Sequence, residues 1–279
     1  MEEKVLGEKD IKIVIAAHKA YRMPESDMYI PLHVGAQGKL DSEGKPLSLG
    51  YRKDNTGDNI SEKNPSYCEL TGLYYAWKNI PADYLGLVHY RRYFAGKNKS
   101  KDRFEKIVTK GELEVIFDSC RIVVPKKRRY YIETLYSHYA HTHYASHLDM
   151  VRQILQEQCP EYVPSYDRVV HQTSGYMFNM MVMERPLFDA YCAWLFSVLF
   201  ELEKKVDVTE LSAFQGRFYG RVSEIIFNAW LDYQIQTGVV KKSEIKELPF
   251  IYMEKINWFR KGMSFLKAKL FHRKYDSSF

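Results

Sequence analysis

The sequence predicts an α/β fold with a single, mixed and mostly parallel sheet flanked by helices, followed by a helical carboxyl-terminal extension. Three observations carry this. Residues 11–17, IKIVIAA, are a short apolar, β-rich run after a charged lead-in, as expected of a strand covered on both faces. A helical pattern at 66–79 separates it from a second such run at 84–89, YLGLVH. The polar cluster His89-Tyr90-Arg91-Arg92 then follows that strand directly, at the end where open α/β sheets collect ligands.

The elements follow in chain order. After the first strand, residues 18–63 are rich in Gly, Asp, Asn and Pro without a sustained period, so they read as a functional loop or an insertion carrying small hairpins. Ser66 and Glu69 have capping-box spacing ahead of Leu70, Leu73, Tyr74 and Trp77 on one helix face, and Pro81 stops that helix. A helix at 111–119 feeds a third apolar stretch at 121–125, after which Lys126-Lys127-Arg128-Arg129 begins. Residues 131–158 read as mostly helical, 175–183 as a strand, and 186–204 as a long helix entered through Pro186. A last core helix is expected over 223–233, with Ser223 as its cap and Glu224 in its first turn.

At roughly 100–200 residues per domain, 279 residues make one domain, assigned to 1–245, and a small appendage, 246–279. The appendage sets Trp258, Phe259, Met263, Leu266, Leu270 and Phe271 at helical spacing among seven Lys and Arg between 255 and 274. Such a helix either packs on the domain or lies on an anionic membrane. The four cysteines are widely spaced, which excludes a disulfide scaffold or a zinc knuckle and fits a reducing compartment. The acidic start and the lack of a long uncharged apolar run lead to the expectation of a cytoplasmic chain, peripheral to the inner face of the membrane at most. Lys plus Arg exceeds Asp plus Glu by 41 to 35, which favours anionic partners. Nucleic acid is not expected among them, because the charge is dispersed and no recognised motif is present.

Several side chains can carry chemistry. Two guanidiniums beside an imidazole can hold a diphosphate through forked, charge-assisted hydrogen bonds. Strand alternation would send His89 and Arg91 to one side and Tyr90 and Arg92 to the other, so one arginine reaches a ligand unless the strand ends at His89. Asp58, Asn59, Lys63 and Asn64, short polar groups and a cation before a helix, can read a base or ribose; they serve equally well as turn and cap residues. Asn179, among apolar residues, must be bonded to backbone or to a ligand hydroxyl. Glu224 is either a helix-dipole partner or a catalytic carboxylate, with Arg217 and Arg221 placed to orient it or to neutralise phosphate. His138, His141, His143 and His147 invite a metal reading, but HExxH is absent, and satisfied polar helix positions suit them better. Neither GxGxxG nor GxxxxGK[ST] occurs.

Together, "IVIAAHK", "GDNISEKNPSYCELTGLYYAWKN", "DYLGLVHYRRYF", "SGYMFNMMVMERPLFDAYCAWLF" and "GRFYGRVSEIIFNAWL" resemble the bacterial domain of unknown function family 4422, from about residue 11 to residue 235. That family occurs among capsular and exopolysaccharide biosynthesis proteins and includes glycosyltransferases, some of them galactofuranosyltransferases. The resemblance implies a GT-A-like fold and transfer of a sugar from a uridine-diphosphate sugar to a hydroxyl of a lipid-linked or polysaccharide acceptor. Ordinary GT-A members place Asp-x-Asp at the central strand end to hold a divalent metal. Here that position reads His89-Tyr90-Arg91, which leaves a metal unassigned and makes cations its substitute. By the same likeness His18, Asp58, Asn59, Lys63, Asn64, His89, Arg91 and Arg92 line the donor. Asn179, Arg217 and Arg221 abut the transferred sugar or acceptor, and Glu224 corresponds to the base of inverting members, assisted by His89 and Arg91. The alternative is a protein that binds the sugar nucleotide, regulates or scaffolds, and transfers nothing.

Overall fold

The computed structural model describes residues 8–209 and 211–254. Its elements in chain order are β1 (Ile11–Ala17), β2 (Tyr29–His33), β3 (Arg52–Lys53), α1 (Asn64–Tyr67), α2 (Leu70–Asn79), β4 (Tyr84–His89) and β5 (Arg92–Phe94). There follow α3 (Lys110–Ile116), β6 (Ile122–Pro125), β7 (Arg128–Arg129), α4 (Leu135–Thr142), α5 (Ala145–Gln158), α6 (Val163–Val170), β8 (Ser174–Gly175) and β9 (Met181–Glu184). The last are α7 (Arg185–Lys205), α8 (Phe218–Gln236), β10 (Ile245–Leu248) and β11 (Phe250–Tyr252).

The main sheet runs β10-β6-β9-β4-β1-β2-β3, with β5 and β11 continuing it as an antiparallel pair beyond β4. Strands β1, β2, β3 and β4 are mutually parallel, and β9 runs against β4 and β6. The mostly parallel sheet flanked by helices is therefore as expected. β1 and β4 are apolar except at Lys12 and His89, because they lie in the sheet interior with both faces covered. Helices α2 and α7 pack on β4, joined through Trp77 and Phe196, whose rings are parallel to within 3° at 6.0 Å.

Five local expectations change. The long loop at 18–63 contains two parallel strands rather than hairpins, apart from the isolated bridge Leu40–Pro46. The helix at 66–79 is broken at Cys68, whose φ of 54° is left-handed, so Ser66 and Glu69 form no capping box and Glu69 becomes the first residue ahead of α2. The 131–158 segment divides at His143–Tyr144 into α4 and α5. The strand expected at 175–183 shrinks to its ends, because Phe178 and Asn179 take φ of 80° and 51°, which no strand accommodates. The helix expected at 223–233 starts at Phe218, so Ser223 is no cap and Glu224 lies beyond the first turn, out of reach of a helix-dipole role.

The expected division after residue 245 meets β10 and β11, which keep the chain in the central sheet as far as Tyr252. The basic segment 255–274 lies outside the described residues. Among the described residues no helix is long and apolar enough to cross a membrane.

Candidate active site

Strand direction decides what meets at the carboxyl edge of the sheet. β1 and β4 both end there, at Ala17 and His89. Because β9 is antiparallel, it enters from the same edge, with Leu87 opposite Met181. The turn at Phe178–Asn179 is therefore carried directly over the end of β4. Helices α2 and α8 close the site by their amino-terminal portions, through Glu69, Gly220, Arg221 and Glu224.

The cluster His89-Tyr90-Arg91-Arg92 is a hairpin rather than a continuing strand. His89 pairs with Arg92 across the two-residue tip Tyr90-Arg91. The fold thus puts His89 and Arg92 together, and not His89 and Arg91. The His89 Nε2–H donates to the Phe178 carbonyl at 2.7 Å, and the Arg92 guanidinium carbon lies 4.5 Å from the Phe178 ring centroid and 5.6 Å from that of Tyr252. Arg92 is otherwise without a partner: its Nε is buried, and no acceptor or carboxylate among the described residues bonds it. Arg91 points outward, stacked on Tyr90 at 5.1 Å and 3.6 Å from Glu254. Tyr90 in turn lies against Tyr21 at 4.1 Å and meets His18 edge-on at 5.2 Å, forming an aromatic wall beyond β1.

Asn179 ties the site together. Its amide donates to Glu69 Oε1 at 2.7 Å and to the Gly220 carbonyl at 3.0 Å, and its Oδ1 accepts from the Ser223 hydroxyl at 2.9 Å. Asparagine suits the position twice, since it tolerates left-handed φ and its amide fills both roles. Glu224, buried on α8, faces a narrow crevice that it lines with Asn179, Tyr176 and Met177, and Arg221 Nη1 donates to its Oε1 at 3.3 Å.

The two carboxylates are driven apart electrically. Burial raises the Glu224 carboxyl above its ordinary value, against the pull of Arg221. Burial opposes the charge on Glu69 too, but the hydrogen bond from the Asn179 amide and the charge of Arg221 favour it, and that carboxyl is held low. His89 is pushed down to about 4 by burial, so its imidazole is neutral near pH 7. Such a split marks one carboxyl able to exchange a proton and one that stays ionised.

Other expected residues go elsewhere. Asp58 accepts from the Tyr74 hydroxyl at 3.1 Å at the far end of α2, and Asn59 closes a turn through the Gly57 carbonyl and the Ser61 N–H. Lys63 pairs with Glu203 of α7 at 2.8 Å, and the Asn64 amide donates to the Cys68 carbonyl at 2.7 Å. These four are not brought to the cluster. Arg217 lies at its margin, with Nε 3.0 Å from the Cys68 sulfur. The histidines of 138–147 are satisfied locally: His138 and His141 each bond the buried Glu133, at 2.8 and 2.7 Å, and His147 bonds the Tyr139 hydroxyl at 2.8 Å.

Glu69 and Ser223 belong to the site, although their spacing in the sequence predicts capping roles. A carboxylate bracketed by Cys68 and an apolar helix face had another possible use, but only the left-handed Cys68 turns it inward. A resident divalent metal does not fit the donors present. The end of β4 offers an imidazole committed to a carbonyl and two guanidiniums, and among the described residues no three His, Cys, Asp or Glu side chains converge.

Among solved structures, the chain is similar to that of the WbbM bifunctional glycosyltransferase without ligand, at 30% identity and a TM-score of 0.77. The match covers 88% of this chain and 46% of that one, so the chain spans about half the length of that structure. No curated protein matches. The sequence matches a family model, Domain of unknown function (DUF4422), over residues 12–235, and the chain belongs to that family.

Proposed function

We propose that this protein is a glycosyltransferase that moves a sugar from a nucleoside-diphosphate donor, a uridine-diphosphate sugar, to a hydroxyl of a lipid-linked or polysaccharide acceptor in capsule or exopolysaccharide synthesis. Galactofuranose and galactose are the first sugars to test. One observation carries the reading: the half-buried Arg92, whose buried Nε has no acceptor among the described residues, stands at the carboxyl edge of the sheet beside a protonatable glutamate. A buried unpaired cation is costly, and an anionic ligand relieves it. The relation to a glycosyltransferase structure supports the same conclusion.

In the proposed reaction the donor base lies against the wall of His18, Tyr21 and Tyr90, and the diphosphate reaches Arg92. Arg91 and Arg217 are placed to supply further charge from the rim. The acceptor oxygen attacks the anomeric carbon while Glu224 takes its proton. The bond from that carbon to the diphosphate oxygen breaks, its electron pair leaves with the nucleotide, and Arg92 neutralises the developing charge. This direct displacement inverts the anomeric centre. His89 acts as a positioning residue, holding the Phe178 carbonyl and with it Asn179, which faces the transferred sugar. Arg221 keeps Glu224 oriented, and the basic segment 255–274 brings the domain to its acceptor at the membrane.

Mass spectrometry of reactions offering a panel of uridine-diphosphate sugars and lipid-linked acceptors tests the reading. Transfer from one donor is the expected outcome. Tight donor binding without transfer or donor hydrolysis across the panel would identify a regulatory sugar-nucleotide-binding protein instead.

A further inference from the structure

The basic run Lys126–Arg129 takes no part in the chemistry above, and its surroundings point to a second surface. Alternation through β7 and the residues after it turns Arg128 and Tyr130 inward, 4.9 Å apart from guanidinium carbon to ring centroid, and turns Arg129 and Tyr131 outward. Tyr131 is 81% exposed and Ile132 78%, more than any other large hydrophobic side chain among the described residues. Lys126, Lys127 and Arg129 are exposed beside them, and among the described residues no carboxylate pairs with any of the three.

This projection is held firmly at its base. β7 pairs with β8, the Tyr130 N–H donates to the Thr173 carbonyl at 2.8 Å, and the Leu135 N–H donates to the Gln172 carbonyl at 2.8 Å. Thr134 and Ser137 cap α4 reciprocally just behind it. Tyr131 takes φ of 60°, an unfavourable conformation for a bulky side chain, and that turn keeps both apolar side chains out in solvent.

A lone exposed tyrosine needs no explanation, but two adjacent apolar side chains following three exposed cations, of which only Lys127 has a partner, the Tyr176 ring at 4.9 Å, do. An acidic soluble partner would satisfy the cations and leave the apolar tips without a purpose. An anionic bilayer uses both, since tyrosine and isoleucine enter the headgroup boundary while lysine and arginine meet phosphate. We propose that the outer edge of residues 126–132 docks this protein on an anionic lipid surface. Arg128 and Tyr130, on the inner side of the same strand, act electrostatically on Glu224, so docking would set the site close to the bilayer. The proposal does not depend on the transfer chemistry.

The test is co-sedimentation of the full chain with phosphatidylcholine vesicles, with and without phosphatidylglycerol. The unaltered chain is expected to prefer the anionic vesicles. Tyr131→Ser/Ile132→Ser should weaken that partition by about tenfold, and Lys126→Glu/Lys127→Glu by at least about tenfold, with unfolding temperatures unchanged because all four side chains are exposed. Absence of anionic preference in the unaltered chain would overturn the proposal, as would unchanged partition in both variants. A dimer in lipid-free solution that dissociates in Tyr131→Ser/Ile132→Ser would instead assign this edge to a second copy of the chain.

Discussion

Arg92 and Glu224 form the chemical pair on which the proposed activity turns, and both stand out in the sequence while their pairing does not. Glu224→Gln should lower turnover by roughly 10²–10⁴-fold while leaving donor affinity near normal, since the amide keeps the shape and loses the proton-accepting charge. Near-normal turnover by that variant, in a steady-state assay, would remove Glu224 as the base. Arg92→Ala should weaken uridine-diphosphate binding by about ten- to a hundredfold in calorimetry, from the ~1.5–3 kcal/mol of a charge-assisted hydrogen bond. Arg91→Ala, on the exposed tip, should cost much less. His89 gives a signature in stability. Its folded value near 4 lies below its ordinary 6.5, so between those values the unfolded chain binds a proton that the folded chain refuses. The unfolding free energy should therefore fall as pH drops through that window, and His89→Gln should flatten the decline in urea titrations. Glu224 works with the opposite sign: its raised value means that its contribution is lost as pH rises above the ordinary 4.5.

At the level of elements, strands were legible where burial on both faces left a predominantly apolar run. IKIVIAA and YLGLVH are strands with the expected bounds. Two of the failures lie at left-handed residues. Cys68 and Phe178 are not residues that favour positive φ, so nothing in their side chains signals the turns that break a helix in one place and a strand in the other; only Asn179 tolerates that conformation readily. Those breaks build the site: one turns Glu69 inward and the other sets Asn179 over β4. Much of the site was thus readable as residues, including Arg92, Asn179, Arg221 and Glu224, but not as an arrangement. The β4–β5 hairpin illustrates this, because period-two alternation pairs His89 with Arg91 and only the two-residue turn replaces that partner with Arg92. Asn179→Asp tests the network. The new carboxylate would face Glu69 across the 2.7 Å now bridged by an amide hydrogen. Destabilisation should exceed about 2 kcal/mol at pH 7 and shrink at pH 4, where one carboxyl of the pair accepts a proton, as read by chemical denaturation.

For the molecule as a whole, cations in place of a carboxylate pair predict that transfer survives exhaustive chelation. Loss of activity restored by manganese would show that a metal is recruited after all. The sheet also carries the chain past residue 245, because β10 and β11 supply the neighbours of β6 and β5, and Tyr252 covers Arg92. Asn179 joins Glu69, 110 positions earlier in the chain, to Gly220, 41 positions later. During synthesis on the ribosome, the hairpin at 89–92 can form as soon as it emerges, whereas the bridge must wait for α8, and Tyr252 reaches Arg92 later still. A nascent chain would accordingly possess every donor-facing arginine of the hairpin long before it could grip a nucleotide. Under the proposed function, competence would arrive only once β11 has joined the sheet, so shorter nascent chains would not sequester activated sugars.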